Sequence, residues 1–377
     1  MVKKLCAVAM LGLLVACLAG CNSQAAQPGA QEEPAVYDVE FHRGCRDARP
    51  ENTLYAFQYA LEHNAPTIEC DINLTKDGVL VISHNMVLNP TLAKDEDGNY
   101  VEADRYVINQ MTLEEVQSFN VGHIDEKTDY YDLHGRTQIT ADAHIPTLRD
   151  LFELVRDSGD TTVRMSIEAK ACPDPAVGIN YKYANTPDEI LVPFNELVKE
   201  FGFENRVILQ SFDWEFLKQM QKINPNIETI ALYNEEPSWN DPEGCTLWLD
   251  RQEASPWLGG LNIHDFDGDP VKAAHSLGID AVSPYYGEVD EALVQEAHSL
   301  GMKVVPWTLN DAESIAHMYD IGVDGIVTDQ PWVAYEVLGQ KGVKLPETRE
   351  VNLPYHLDGD HVDVESDDID NARAAME

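Results

Sequence analysis

Short runs rich in β-branched and apolar residues recur along the chain at 36–42, 67–73, 163–169, 207–212, 229–233, 281–285, 303–307 and 325–328. Each predicts a strand. Between many of them the apolar positions shift to helical spacing. In 53–63, Leu54, Phe57 and Leu61 stand at i, i+3 and i+7, behind Pro50 and a candidate cap at Asn52. Segments 187–201, 214–223, 290–300 and 311–321 are amphipathic in the same way. Eight strands alternating with helices predict a parallel (β/α)8 TIM barrel spanning 36–340. The rival, a doubly wound open sheet, has no G-x-G-x-x-G turn after the first strand to support it.

Two segments break the alternation. Asp77-Gly78 joins the second strand to 79–83, a hairpin-like extension that ends at His84. Residues 85–144 then precede Ile145-Pro146-Thr147-Leu148, a stretch too long for an ordinary βα connection. In a barrel such an insertion after the second strand lies at the catalytic face. From 341 to 377 the chain is acidic and poor in apolar residues, which predicts a solvated, disordered tail.

The N-terminus carries a different signal. Lys3 and Lys4 precede an apolar run that ends in Leu18-Ala19-Gly20-Cys21. This describes a secretory signal peptide at 1–20, and the run is short for a membrane span. The tetrapeptide resembles a bacterial lipobox, which implies lipidation of Cys21 and a membrane anchor. Residues 21–35 would form a flexible tether, and the protein would be an exported lipoprotein of the cell envelope. Of seven cysteines, Cys45, Cys70, Cys172 and Cys245 remain beyond Cys21. An exported protein permits disulfides, and no CxxC pair marks a zinc site.

Composition adds one constraint. Apolar residues make up 44 %, enough for a large core, but the net charge is −40. Such a surface repels nucleic-acid phosphates, so a nucleic-acid partner is excluded. Any small anionic substrate needs positive charge placed locally at its site. No obligate protein partner is expected.

Candidate chemistry centres on the second and third strands. Side chains alternate across a strand, so Glu69 and Asp71 face away from Ile68, Cys70 and Ile72. Glu168 and Lys170 likewise oppose Met165, Ile167 and Ala169. With the apolar faces turned toward helices, three carboxylates converge on the barrel axis. Buried acids need compensation. A hard divalent cation, Ca²⁺ or Mg²⁺, suits three oxygen ligands; a salt-bridge network with Arg43 and Lys170 is the alternative. His42 and His84 close the first strand and the extension, and imidazoles there could act as general acid and base. Arg43 and Lys170 could supply the local positive field for a phosphate.

Several ordered pieces resemble the bacterial glycerophosphodiester phosphodiesterase family. They are His42-Arg43-Gly44, Pro50-Glu51-Asn52-Thr53, Glu69-Cys70-Asp71, Leu74-Thr75-Lys76-Asp77-Gly78, His84, Ile145-Pro146-Thr147-Leu148 and Ile167-Glu168-Ala169-Lys170. Gln210-Ser211-Phe212, Trp307-Thr308-Leu309-Asn310 and Gly325-Ile326-Val327-Thr328-Asp329-Gln330-Pro331 complete the series. The resemblance implies a TIM barrel that hydrolyses small glycerophosphodiesters to glycerol 3-phosphate and an alcohol. It implies metal ligation by Glu69, Asp71 and Glu168, with His42 and His84 as acid and base in an order left open. It assigns Arg43 and Lys170 to the phosphate and Glu51 to the site lining, with Phe212 and Trp307 as walls for the glycerol or alcohol. Asn85 departs from the Asp usual after the second histidine. Cys45 and Cys172 both follow site motifs at the expected barrel mouth, which makes them one candidate disulfide among pairings that the sequence leaves open. Formation of a cyclic phosphate stays open, as does phosphorylated-ligand binding without cleavage. A glycosidase would explain the carboxylates but not the surrounding His, Arg and Lys.

Overall fold

Strand pairing follows the alternation of apolar and charged positions. The computed structural model of the chain describes residues 37–235 and 245–364; the signal-peptide, lipidation and tether readings lie outside them. The strands are β1 (Asp38–Phe41), β2 (Thr67–Leu74), β3 (Leu80–Ile82), β4 (Arg164–Ala169), β5 (Val207–Ser211), β6 (Glu228–Tyr233), β7 (Ala281–Pro284), β8 (Lys303–Val304) and β9 (Gly325–Thr328). Eight run parallel in the order β8-β7-β6-β5-β4-β2-β1-β9, and β3 folds back antiparallel on β2. The ring closes through Asp324 N–H to Val304 O, Val327 N–H to Pro306 O and Leu309 N–H to Val327 O, each 2.9 Å. This is the TIM barrel that the periodicity predicts. The run at 303–307 is a shorter strand than expected, because Pro306 has no N–H to continue the ladder.

The helices are α1 (Leu54–Glu62), α2 (Leu113–Gln117), α3 (Leu148–Asp157), α4 (Ile179–Tyr183), α5 (Pro187–Phe201), α6 (Trp214–Ile223), α7 (Pro270–Ser276), α8 (Glu291–Ser299), α9 (Ala312–Ile321) and α10 (Pro331–Gln340). All but the short α2 and α4 follow one parallel strand each. Ile68, Cys70, Ile72, Met165, Ile167 and Ala169 are buried in one core with Leu151, Phe152, Phe194 and Trp214 of the surrounding helices. Burial of this face leaves Glu69, Asp71 and Glu168 no direction but the axis. Among the described residues, no helix is long and apolar enough to cross a membrane.

The turn after β1 is unusual. His42–Gly44 form a short 3-10 turn in which Arg43 and Gly44 have φ of 50° and 80°. A Cβ on Gly44 would lie 2.7 Å from the Phe57 ring and 2.8 Å from the Ala56 Cβ, so glycine lets α1 pack directly on this turn. The cap of α1 is Thr53, whose hydroxyl accepts from Ala56 N–H, rather than Asn52, which is used elsewhere.

Residues 85–144 connect β3 to α3 and carry α2. Leu88, Ala93, Val101, Ile108, Val116, Phe119 and Val121 bury against each other and against Val81 and Ile145. The tail differs from expectation. Residues 347–362 lie along α1 and the β1–α1 loop, where Arg49 and Gln58 donate to their carbonyls. Low apolar content did not leave this segment disordered, because its backbone groups are satisfied by the barrel. Residues 365–377 lie outside the described part.

Candidate active site

Glu69 and Asp71, two residues apart on β2, and Glu168 on the adjoining β4 converge at the C-terminal end of the barrel. Register pairs Asp71 with Glu168. Each of the three offers a carboxylate oxygen within 4.8 Å of the others, and all are buried. Arg43 N–H donates to Glu69 Oε2 at 2.7 Å, and Gln210 Nε2 donates to Glu69 Oε1 at 3.0 Å. Asn52 Nδ2 donates to Asp71 Oδ2 at 2.8 Å. Lys170 Nζ lies 2.8 Å from Glu168 and 3.1 Å from Asp71.

Positive charge falls short of what three acids require. Burial, then the Asp71 charge, pushes Glu69 well above the usual carboxylate range. Burial raises Glu168 to about 7 against the pull of Lys170. Burial acts on Asp71 too, but Lys170, His84 and Arg43 hold it well below its ordinary value. Converging oxygen donors, two of them destabilised as anions, fit a hard divalent cation.

The two histidines flank this cluster. His42 follows β1, with Nδ1 2.6 Å from Asp329 Oδ1 and Nε2 3.9 Å from Glu69. Burial lowers its pKa to about 4, with Asp329 pulling the other way. His84 follows β3, and its Nδ1 meets Asn85 Oδ1 at 2.7 Å. Burial, then Arg43 and Lys170, pushes it well below the usual range. Asn85 therefore orients the ring as an acceptor without the charge that Asp would bring.

Residues without an assigned role in the sequence complete the site. Asp329, at the end of β9, accepts from Arg46 Nε at 2.6 Å and Nη2 at 2.8 Å, and from Asn310 Nδ2 at 2.7 Å. Arg43 Nη1 donates to Glu51 at 2.9 Å and to the Tyr130 hydroxyl at 3.3 Å. Tyr130 comes from the 85–144 insertion and also donates to Glu51. Asp329 and Gln210 fell within quoted motifs, so their pattern was visible; Arg46 and Tyr130 had no local signal. Asp47, His134 and Asp329 also converge, but there His134 and Gln330 bond Asp47 while Arg46 bonds Asp329.

A cavity of about 570 Å³ opens over these groups. Its charged lining comes mainly from β1, β2, β4 and the segments that follow them. Apolar lining comes from Phe212, Leu232, Trp257 and Trp307, on or after β5, β6 and β8, and from Met86, Cys172 and Val177 after β3 and β4. Phe212 and Trp307 pack edge to face with centroids 5.6 Å apart. Glu51 contacts Arg43 at the edge of this arrangement. The candidate Cys45–Cys172 disulfide is not formed. Cys45 Sγ donates to Asp329 O at 3.6 Å and Cys172 Sγ to Asp174 O at 3.7 Å. The two thiols belong to different apolar clusters, so nothing brings them together.

A TIM barrel with clustered carboxylates and flanking imidazoles at its C-terminal face has the arrangement of an enzyme equipped for acid–base chemistry. Residues 42–333 match the glycerophosphoryl diester phosphodiesterase family, and the chain belongs to it. A glycerophosphodiester phosphodiesterase of Caldanaerobacter subterraneus is 31 % identical over 291 residues, 77 % of this chain and 93 % of that protein. One from Bacillus altitudinis is 26 % identical over similar shares, 77 % and 93 %. A crystal structure from Silicibacter pomeroyi assigned to the same family superposes with TM-score 0.69 at 30 % identity, covering 83 % of this chain and 96 % of that one. An Oleispira antarctica phosphodiesterase in complex with the product sn-glycerol-3-phosphate shares the fold, with TM-score 0.56 at 20 % identity over 81 % and 97 % of the chains.

Proposed function

We propose that this chain hydrolyses glycerophosphodiesters to sn-glycerol 3-phosphate and an alcohol, using one divalent cation, Ca²⁺ or Mg²⁺. The observation that carries this reading is the pair of imidazoles beside the carboxylate cluster, each oriented through Nδ1 by its own partner. Glu69, Asp71 and Glu168 would hold the cation, which supplies charge to neutralise the phosphoryl oxygens. Lys170 and Arg43 add fixed positive charge on a protein whose net charge repels the substrate.

The residues then divide the reaction. One histidine takes a proton from the attacking hydroxyl as the new phosphorus–oxygen bond forms. The other gives a proton to the departing alkoxide as the old bond breaks. Neutral imidazole serves as the base, and its partner must enter the step protonated. Phe212, Trp257 and Trp307 form the apolar side of the cavity, which suits the organic part of the substrate. Such products fit degradation of glycerophospholipids and scavenging of phosphate and glycerol. Turnover of choline, ethanolamine, glycerol and inositol diesters, each with a metal titration, tests the reading. It fails if no diester is cleaved at any metal concentration. Phosphorus NMR of the products separates direct hydrolysis from passage through a cyclic phosphate.

The N-terminal pattern supports export and anchoring of the protein at the cell envelope through lipidated Cys21. Labelling with palmitate in the cell should be lost in Cys21→Ser; equal labelling of both proteins would refute the anchor.

A further inference from the structure

The loop between β1 and α1 carries His42, Arg43, Arg46, Glu51 and Asn52, and its backbone is held in an unfavourable form. Arg43, Cys45 and Asn52 have φ of 50°, 109° and 55° without being glycine. Such positions are disfavoured for residues with a Cβ and persist only where the surroundings impose them. A turn this irregular needs outside support.

That support comes from a segment beyond the family match, which ends at residue 333. Arg49, in the middle of the loop, is 1 % exposed. Its Nη1 donates to Ala48 O at 2.8 Å and to Asp360 O at 2.7 Å, and its Nη2 to Leu357 O at 3.1 Å and Gly359 O at 2.6 Å. Three of these four carbonyls belong to the C-terminal segment. The guanidinium also lies 4.5 Å over the Tyr59 ring of α1. The segment is fastened on both sides of this contact. Arg349 N–H donates to Glu62 O at 2.8 Å, Tyr355 N–H to Gln58 Oε1 at 2.8 Å, and Val362 N–H to Thr137 O of the insertion at 2.8 Å. Ile139 N–H, beside Thr137, returns to Ala48 O at 2.9 Å.

We propose that residues 347–362 are a strap that positions the catalytic loop, acting through Arg49 as a positioning residue. A carbonyl cage suits this task. It directs several backbone oxygens at one planar donor group, so the loop is fixed in both position and orientation. Joining α1, loop and insertion in a single hydrogen-bonded seam also ties Tyr130 to the same frame as Arg43. The strap makes no contact with the substrate cavity, so its effect passes entirely through the loop.

This inference rests on the phosphodiesterase reading, and the full-length enzyme's turnover tests that reading separately. The strap is tested with chains ending at Val364 and at Pro346, compared with the full chain by circular dichroism, thermal unfolding and steady-state kinetics. The chain ending at Val364 should match the full chain in kcat. The chain ending at Pro346 should lose about 10–100-fold in kcat at a temperature where its dichroism shows it folded, since small misplacements of catalytic groups have that effect. A synthetic 347–362 peptide should restore part of the loss. If the shorter chain does not fold, full-length Arg49→Met decides: it should lose kcat while folded, and Arg49→Lys should recover part. A folded variant that loses only thermal stability, with kcat intact, overturns the proposal.

Discussion

His42 Nδ1 lies 2.6 Å from Asp329 Oδ1, joining residues 287 positions apart in sequence. The bond fixes the ring so that Nε2 points toward Glu69, 3.9 Å away. Arg46 and Asn310 in turn hold the Asp329 carboxylate in place. In the proposed reaction Asp329 is the group that orients the His42 imidazole. Asp329→Asn should lower kcat by at least ~10²-fold while KM changes less, as steady-state kinetics on any cleaved diester would reveal. Equal kcat in the two proteins would remove Asp329 from the mechanism.

His84 has a lighter support. Asn85 Oδ1 accepts from its Nδ1 and bears no charge. His84→Ala should reduce kcat by roughly 10²–10⁴-fold, the range of a lost general acid or base. Asn85→Leu removes only the orienting acceptor, so its kcat should fall between the wild type and His84→Ala. If Asn85→Leu lost as much as His84→Ala, the side chain would be doing more than orienting the ring.

The carboxylate cluster predicts a metal effect that can be read without turnover. Glu168→Gln keeps the shape of the site and removes one anionic ligand. Calorimetric titration of Ca²⁺ or Mg²⁺ into the chelator-treated protein should show an affinity lower by ~10-fold or more. Thermal unfolding should show that added cation raises the Tm of the wild type more than that of the variant. Indistinguishable titrations would separate Glu168 from the cation.

Glu40 is buried on β1, beside Thr67 of β2 in the register and close to Asp38 and Glu228. Burial, then the Asp38 charge, lifts its pKa from 4.5 to about 8. A folded-state pKa above the unfolded value means that the native protein holds this proton more tightly. The contribution is complete below pH 4.5 and is lost as pH rises through about 8. Glu40→Gln should therefore gain stability over the wild type as pH increases from 5 to 9, by about 1.4 kcal/mol per pH unit at most. Denaturant unfolding at both ends of that range checks it, and a constant difference between the two proteins would contradict the assignment.

Much of the site was legible because strand alternation is a local rule. Glu69, Asp71 and Glu168 share one face since Ile68, Cys70, Ile72, Ile167 and Ala169 must face the helices. Once the element order predicts a barrel, that face is the axis. The tail shows the limit of the same reasoning. Its acidic composition predicts disorder, yet residues 347–362 are held largely through backbone carbonyls and amides, which composition does not report. Cys45 and Cys172, one pairing the sequence left open because both follow site motifs, lie in separate apolar clusters.

By itself, the sequence determined the barrel, the inward acids and the two histidines at strand ends, since periodicity and short motifs act over a few residues. Only the tertiary structure decided which groups orient those histidines, and that Arg46, Tyr130 and Arg49 brace the loop carrying His42. The reason is geometric: closing the ring brings β9 beside β1, and folding the insertion and the strap onto one loop creates contacts between residues with no spacing in common.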